Sequence, residues 1–165
     1  DVAFSPDGVY LAVGVLFPES NGQIQIYHVG RGLVQILRTE RFNLELLEWP
    51  SQNYLICTDF YNIQVWAMQE DYSEIINTWN TREFQSIAAD EGKLLAIGHC
   101  SGHVTVWSIP EGNHLSTLQQ HSVFVKNLRF VPNNRPVSVC DRDLVCIWDL
   151  ADDNNQEGDG NPMCS

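Results

Sequence analysis

Basic side chains are scarce. There are 9 Lys+Arg against 21 Asp+Glu in 165 residues, for a formal charge of −12 and a sequence pI near 4.5. Only 2 of the 9 are lysine. Neutralising phosphates needs a basic surface, and this one repels polyanions, which argues against nucleic-acid binding. The same balance argues against docking on an anionic membrane. Long apolar runs are also missing. The longest, Val9–Phe17, has nine residues and is too short to span a bilayer. No basic stretch followed by an apolar core marks a secretory leader, so an intracellular setting, cytoplasmic or nuclear, is expected. No C-x-x-C occurs among the five cysteines, Cys57, Cys100, Cys140, Cys146 and Cys164. Neither a zinc ribbon nor a dithiol redox motif is therefore indicated. Four of the five lie in strand-like apolar runs and read as free thiols, small hydrophobes in reducing surroundings. What the chain does have is 44% hydrophobic and 18% charged residues, the content of a folded protein.

It also has a repeat. Ile63-Gln64-Val65-Trp66, Val104-Thr105-Val106-Trp107 and Val145-Cys146-Ile147-Trp148 end alike, with tryptophans 41 residues apart. Ile24-Gln25-Ile26-Tyr27 is a fourth copy, 39 residues before Trp66. Each alternates apolar and other residues, as a strand with one buried face does. A second apolar run precedes each ending. Gly8–Gly14 matches Gly92–Gly98, and Tyr54–Thr58 and Pro136–Cys140 fill the same slot. A third element lies upstream at Leu44, Leu47 and Trp49, at Phe84, Ile87 and Ala89, and at Val125, Leu128 and Phe130, with Val2 and Phe4 in the first copy. A further run follows the first three endings, at Leu33–Arg38, Glu74–Trp79 and His114–Gln119. The spacers are rich in Gly, Pro, Asn and Asp, the residues of tight turns. The pattern predicts an all-β chain with four short strands in about 40 residues.

Such a unit resembles a β-propeller blade of the WD40-repeat family. Phe4-Ser5-Pro6-Asp7-Gly8 is similar to the family's innermost-strand ending and turn, and Phe130-Val131-Pro132-Asn133-Asn134 is a looser copy. Trp148-Asp149 is the namesake dipeptide, and Gln119-Gln120-His121 sits where the family often has Gly-His. The other endings depart from it: Tyr27-His28, Trp66-Ala67 and Trp107-Ser108. The family often buries an Asp-His-Ser/Thr-Trp tetrad, with the Asp six residues before the Trp. Here that slot holds Asn21, Phe60, Ser101 and Arg142, with Asp59 and Asp141 one position earlier. Only the last unit offers three members, Trp148, His121 and Ser138, which read as structural partners inside a blade.

The resemblance implies blades over 1–38, 39–79, 80–120 and 121–150, then an acidic disordered tail or linker over 151–165. The last blade shows three strands, so about 3.75 blades are expected. Propellers close with about 4 to 8. An incomplete, open propeller is thus expected, with further blades in the rest of its own chain.

No G-x-S-x-G, H-E-x-x-H, G-x-x-x-x-G-K-[ST] or G-x-G-x-x-G occurs. His99-Cys100-Ser101-Gly102-His103 holds metal-ligand residue types, but its place between two strands reads as an exposed turn with a buried Cys100. Asp141 and Asp143 flank Arg142 and read as a turn ion pair. No catalytic residue, metal or cofactor is therefore expected. In the family, loops between blades and between second and third strands lie on one face that grips proteins or peptides. By resemblance, that face takes in Phe17, Pro18, Glu19, Glu40, Arg41, Tyr61, Arg82, Glu83 and Phe124. The span Gly14–Tyr27 is 13 residues against 9 for Gly98–Trp107, which reads as a longer loop at Phe17-Pro18-Glu19-Ser20. The expected function is a non-catalytic scaffold for protein–protein interaction in a larger complex, with a partner carrying basic segments. The alternative is a regulatory or substrate-recruiting segment of a larger enzyme.

Overall fold

Short apolar runs separated by tight-turn residues fold back on their immediate neighbours. The computed structural model describes residues 1–17, 20–39, 44–59, 61–69, 73–81, 83–150 and 163–164, and among these it contains strands and no helix. There are two compact units, 1–82 and 83–165.

The first unit holds two sheets. One is β1 (Val2–Phe4), β2 (Tyr10–Phe17), β3 (Ser20–His28) and β4 (Gly32–Arg38). The other is β5 (Leu46–Ser51), β6 (Tyr54–Thr58), β7 (Asn62–Met68) and β8 (Ser73–Asn80). The second unit likewise holds β9 (Phe84–Asp90), β10 (Leu94–His99), β11 (His103–Ser108) and β12 (His114–Gln119), and then β13 (Val125–Val131), β14 (Arg135–Cys140), β15 (Val145–Ile147) and β16 (Met163–Cys164). Within each sheet the strands lie in chain order and pair antiparallel. This four-strand meander is the propeller blade expected from the repeat.

Turn chemistry explains the reversals. In the β1–β2 turn Ser5 Oγ donates to Asp7 Oδ1 at 2.6 Å, and the Val9 amide donates to the same oxygen at 2.9 Å. These bonds, the one from Ser5 first, hold the Asp7 carboxyl below its usual range. Gly8 follows at φ +71°, a left-handed position. Between β13 and β14, Asn133 and Asn134 of the three-residue turn 132–134 both have positive φ, 70° and 56°, a backbone region that Asn tolerates.

Burial differs between the strands of the two middle blades. The second strands β6 and β10 are nearly all buried, whereas the fourth strands β8 and β12 are largely exposed. The first unit's core joins Ala12, Ile24 and Leu37 of one blade to Leu47, Trp49 and Leu55 of the next. The Leu47 amide donates to Asp1 Oδ2 at 2.8 Å across the same two blades. In the second unit Ala96, Val104 and Leu118 pack with Val125, Leu128 and Trp148, and Ser86 Oγ donates to the Val125 carbonyl at 2.9 Å. Burying a Leu, Val or Ile side chain contributes about 1.5–3 kcal/mol, so these contacts dominate cohesion.

Three expectations are corrected. The last blade has a fourth strand, because Met163 and Cys164 pair with Ile147 and Cys146. Two paired residues after an acidic stretch carry no alternation to be read. Residues 151–162, most of the expected acidic tail, lie outside the described residues. Second, the longer Gly14–Tyr27 span extends the ladder rather than a loop: β2 runs to Phe17, which stands opposite Ser20. Third, Cys146 is disulfide-bonded rather than free, and Cys164 faces it in the register. Cys57, Cys100 and Cys140 are free.

Candidate functional sites on the blades

Hydroxyl and imidazole groups inside the second unit gather around two tryptophans. Trp148 Nε1 donates to Ser138 Oγ at 2.8 Å, and His121 Nε2 lies 2.7 Å from the same oxygen. All three residues are buried. The His121 and Trp148 rings meet edge to face, with centroids 6.2 Å apart. His121 Nδ1 is buried without a partner among the described residues. Asp141 and Arg142 are exposed and do not supply one. The cluster therefore stops at three members. Asp149 makes an ion pair with Arg135 at 2.6 Å.

The neighbouring blade solves the same problem with different residues. Trp107 Nε1 donates to Thr105 Oγ1 at 2.9 Å, and His99 Nε2 lies 2.8 Å from that oxygen. The His103 ring stacks on His99 at 4.2 Å. His99 is thus buried and Cys100 exposed, the reverse of the expected turn. A register shift against β9 falls between Gly98 and His99, in a strand buried on both faces. In the first unit Tyr27 donates its hydroxyl to Gln25 Oε1 at 2.6 Å. Cys57 Sγ donates to Gln64 Oε1 at 3.7 Å, and burial pushes that thiol up to about 12. It stays protonated and unreactive at neutral pH.

Burial also holds the His121 pKa below the ordinary imidazole value of 6.5. As pH falls through 6.5, the unfolded chain binds the proton first. Stability is therefore full above that pH and declines as pH drops toward the folded value. Urea unfolding between pH 7.5 and 5 should show this decline in the wild type and a flatter profile in His121→Gln. Identical slopes would contradict it.

The turn positions are placed as follows. Tyr61 is 59% exposed, and its turn is fixed by Asp59 Oδ1, which accepts the Tyr61 and Asn62 amides at 2.7 and 2.6 Å. Glu83 is exposed at φ 59°, and its carbonyl accepts the Cys100 amide at 2.7 Å. Phe124 is 37% exposed, next to buried Val125. Phe17 ends β2 by its backbone. Pro18, Glu19, Glu40, Arg41 and Arg82 lie outside the described residues.

One feature was not foreseen from the sequence. At the opposite ends of the first unit's strands, a cleft of about 430 Å³ is lined by Tyr10, His28, Arg31, Trp49, Met68 and three glutamines, among others. Tyr10 stacks on Trp49 with centroids 6.3 Å apart and meets His28 edge-on at 5.4 Å. Its residues come from turns and strand ends of two blades, so no single motif announces it.

No family model matches the chain. It is 29% identical over 174 residues to WD repeat and SOCS box-containing protein 1 of Homo sapiens, covering 93% of this chain and 39% of that protein. The proteins of the same name from Xenopus tropicalis and Danio rerio are 26% and 27% identical over 178 and 175 residues, again covering 93% of this chain. All of these relatives are WD repeat-containing proteins, which supports a WD40-type family for the chain. The chain spans 39–40% of the length of these relatives.

WD40 blades generally act as interaction domains, and the hydrogen bonds above tie the third strand of each of three blades to its own surroundings. Trp-Asp occurs once, yet Tyr27, Trp107 and Trp148 each find a hydrogen-bond partner inside their own blade. The packing role of the third strand's aromatic residue persists where the dipeptide does not.

Proposed function

We propose that the chain is a non-catalytic WD40 scaffold that presents strand-connecting turns to protein or peptide partners within a larger complex. The observation that carries this reading is the contrast at the tips. Tyr61 and Phe124 are 59% and 37% exposed, while Asp59 and Val125 beside them are buried at 7% and 0%. Aromatic side chains held out from rigid supports are the composition of interface hot spots. Phe17, Pro18, Glu19, Glu40, Arg41, Arg82 and Glu83 belong to the same proposal through the WD40 resemblance. An intracellular setting fits this role. Crosslinked capture with the chain as bait tests it. Tyr61→Ala combined with Phe17→Ala and Phe124→Ala should lower partner recovery about tenfold or more, and undiminished recovery would count against the tips.

Some partners belong to the same protein under this proposal. Val2 and Phe4 of β1 are 56% and 59% exposed, whereas Leu47 and Trp49 of β5 are buried. An exposed apolar flank on a repeat unit is where a further blade packs. The relatives join WD repeats to a SOCS box by name and are longer than the matched region, which supports further blades and a second functional element. A recruiting segment of a larger enzyme is the alternative form of the same reading. The chain alone should self-associate through the β1 flank, and Val2→Asp with Phe4→Asp should shift it toward monomer in sedimentation velocity. A monomeric wild type would overturn this flank assignment.

A further inference from the structure

We propose that the cleft between the first two blades is a binding site for an acidic peptide segment, one that sets an aromatic or aliphatic side chain beside a carboxylate. This rests on the protein-binding reading above and states what partner chemistry one site takes.

The cleft is built for an acceptor. Its volume of about 430 Å³ lies in the range of sites that take a side chain or small ligand. Arg31 is the charged member of its lining, in a chain that is otherwise acidic. Trp49 is 7% exposed, and its indole N–H is buried without a partner among the described residues. A buried donor left unpaired costs about 1–3 kcal/mol, which is recovered only if a side chain entering the cleft displaces its cover and brings an acceptor to it. The Gly30 amide donates to His28 Nδ1 at 3.0 Å, so the neutral ring carries its proton on Nε2 and offers a second donor. Ser73 Oγ donates to Gln35 Oε1 at 3.2 Å, which occupies that carbonyl and leaves the Gln35 amide nitrogen as a third. Asp7, which bonds the lining residue Gln52, is also engaged by Ser5 and by the Val9 amide. Tyr10, Trp49, Ile26, Val34 and Met68 supply the apolar and aromatic surface.

Arginine and N–H donors, with no Asp or Glu among the described lining residues, favour a carboxylate, and the aromatic wall favours a flat or branched apolar neighbour. The whole-chain charge of −12 points instead to a basic partner. The two are compatible, because exposed charges are screened beyond about 8–10 Å and a local donor set governs a local contact.

The test uses the full chain and three dye-labelled hexapeptides with a central phenylalanine. They are flanked by Asp and Glu, by Asn and Gln, or by Lys. Fluorescence anisotropy should show the acidic peptide binding at least tenfold more tightly than the other two. Arg31→Gln, at an exposed position, should cost about tenfold for the acidic peptide and leave the melting curve unchanged. In a ¹⁵N spectrum the acidic peptide should shift the Trp49 indole resonance, identified by its loss in Trp49→Phe. Equal binding of the acidic and neutral peptides overturns the proposal, as does an unmoved indole signal or an Arg31→Gln variant that binds like wild type. Partner capture that needs Tyr61 and Phe124 but ignores the acidic peptide would overturn the cleft alone and leave the scaffold reading in place.

Discussion

Gly102→Ala is expected to destabilise the second unit by about 3–5 kcal/mol, a large fraction of a domain's usual 5–15 kcal/mol. Gly102 closes the turn between β10 and β11 at φ +93°, where an L side chain is strained. Strain is the smaller part. A Cβ there would overlap the His121 carbonyl oxygen and lie 2.8 Å from the Val123 carbonyl oxygen. Both obstacles are backbone, so no rotamer change relieves them. The segment carrying His121 would have to move, and the His121 ring would leave Ser138. Melting followed by circular dichroism should fall by about 10 °C, at roughly 2–4 °C per kcal/mol for a chain of this size. Gly8→Ala is the control. Gly8 also has positive φ, +71°, but nothing lies within 4 Å of its Cβ position. It should cost about 1 kcal/mol, the conformational part alone. Equal losses at the two glycines would show that the close approach to His121 is not what matters.

The blade architecture was legible because two independent signals agree. Alternation sets each strand, and Asn, Asp, Gly and Pro set each reversal. The run expected at His114–Gln119 is β12 to the residue, and Leu33–Arg38 falls one residue short of β4. What alternation cannot show is whether inserted residues lengthen a loop or a ladder. At Phe17 and Ser20 they lengthen the ladder. Nor does it mark a strand buried on both faces. His99 looked like a turn residue, and the shift at Gly98/His99 is invisible in a one-dimensional pattern. The polar cluster at Trp148 was readable from the WD40 resemblance, whereas its relative at Trp107 was not, because Thr105 stands on the tryptophan's own strand. The cleft was least legible of all. Tyr10 and Trp49 come from different sheets, and only the packing of two blades brings them into a stack.

Trp148→Ala should be the most damaging single truncation in the second unit, at about 4–5 kcal/mol. Trp148 is fully buried in a core cluster drawn from both blades of its unit. Removing a buried aromatic side chain costs about 3–5 kcal/mol through lost burial and the cavity it leaves. Its indole N–H also anchors Ser138 Oγ, the atom shared with His121. Without the indole, the buried hydroxyl loses its donor and the His121 ring loses its edge-to-face neighbour. Trp148→Phe separates these contributions. It keeps most of the ring but removes the donor, and should cost about 1–2 kcal/mol. Combining it with Ser138→Ala should then be less than additive, because the two residues share one bond. Trp107→Ala provides the comparison between blades. That ring is only half-buried, so its loss should cost about half as much in the same urea titration. The hierarchy follows from position: in a blade whose outer strand is two residues long, the third strand's tryptophan must supply cohesion that the full-length β12 shares in the blade before it. Equal costs at Trp107 and Trp148 would contradict that division of labour.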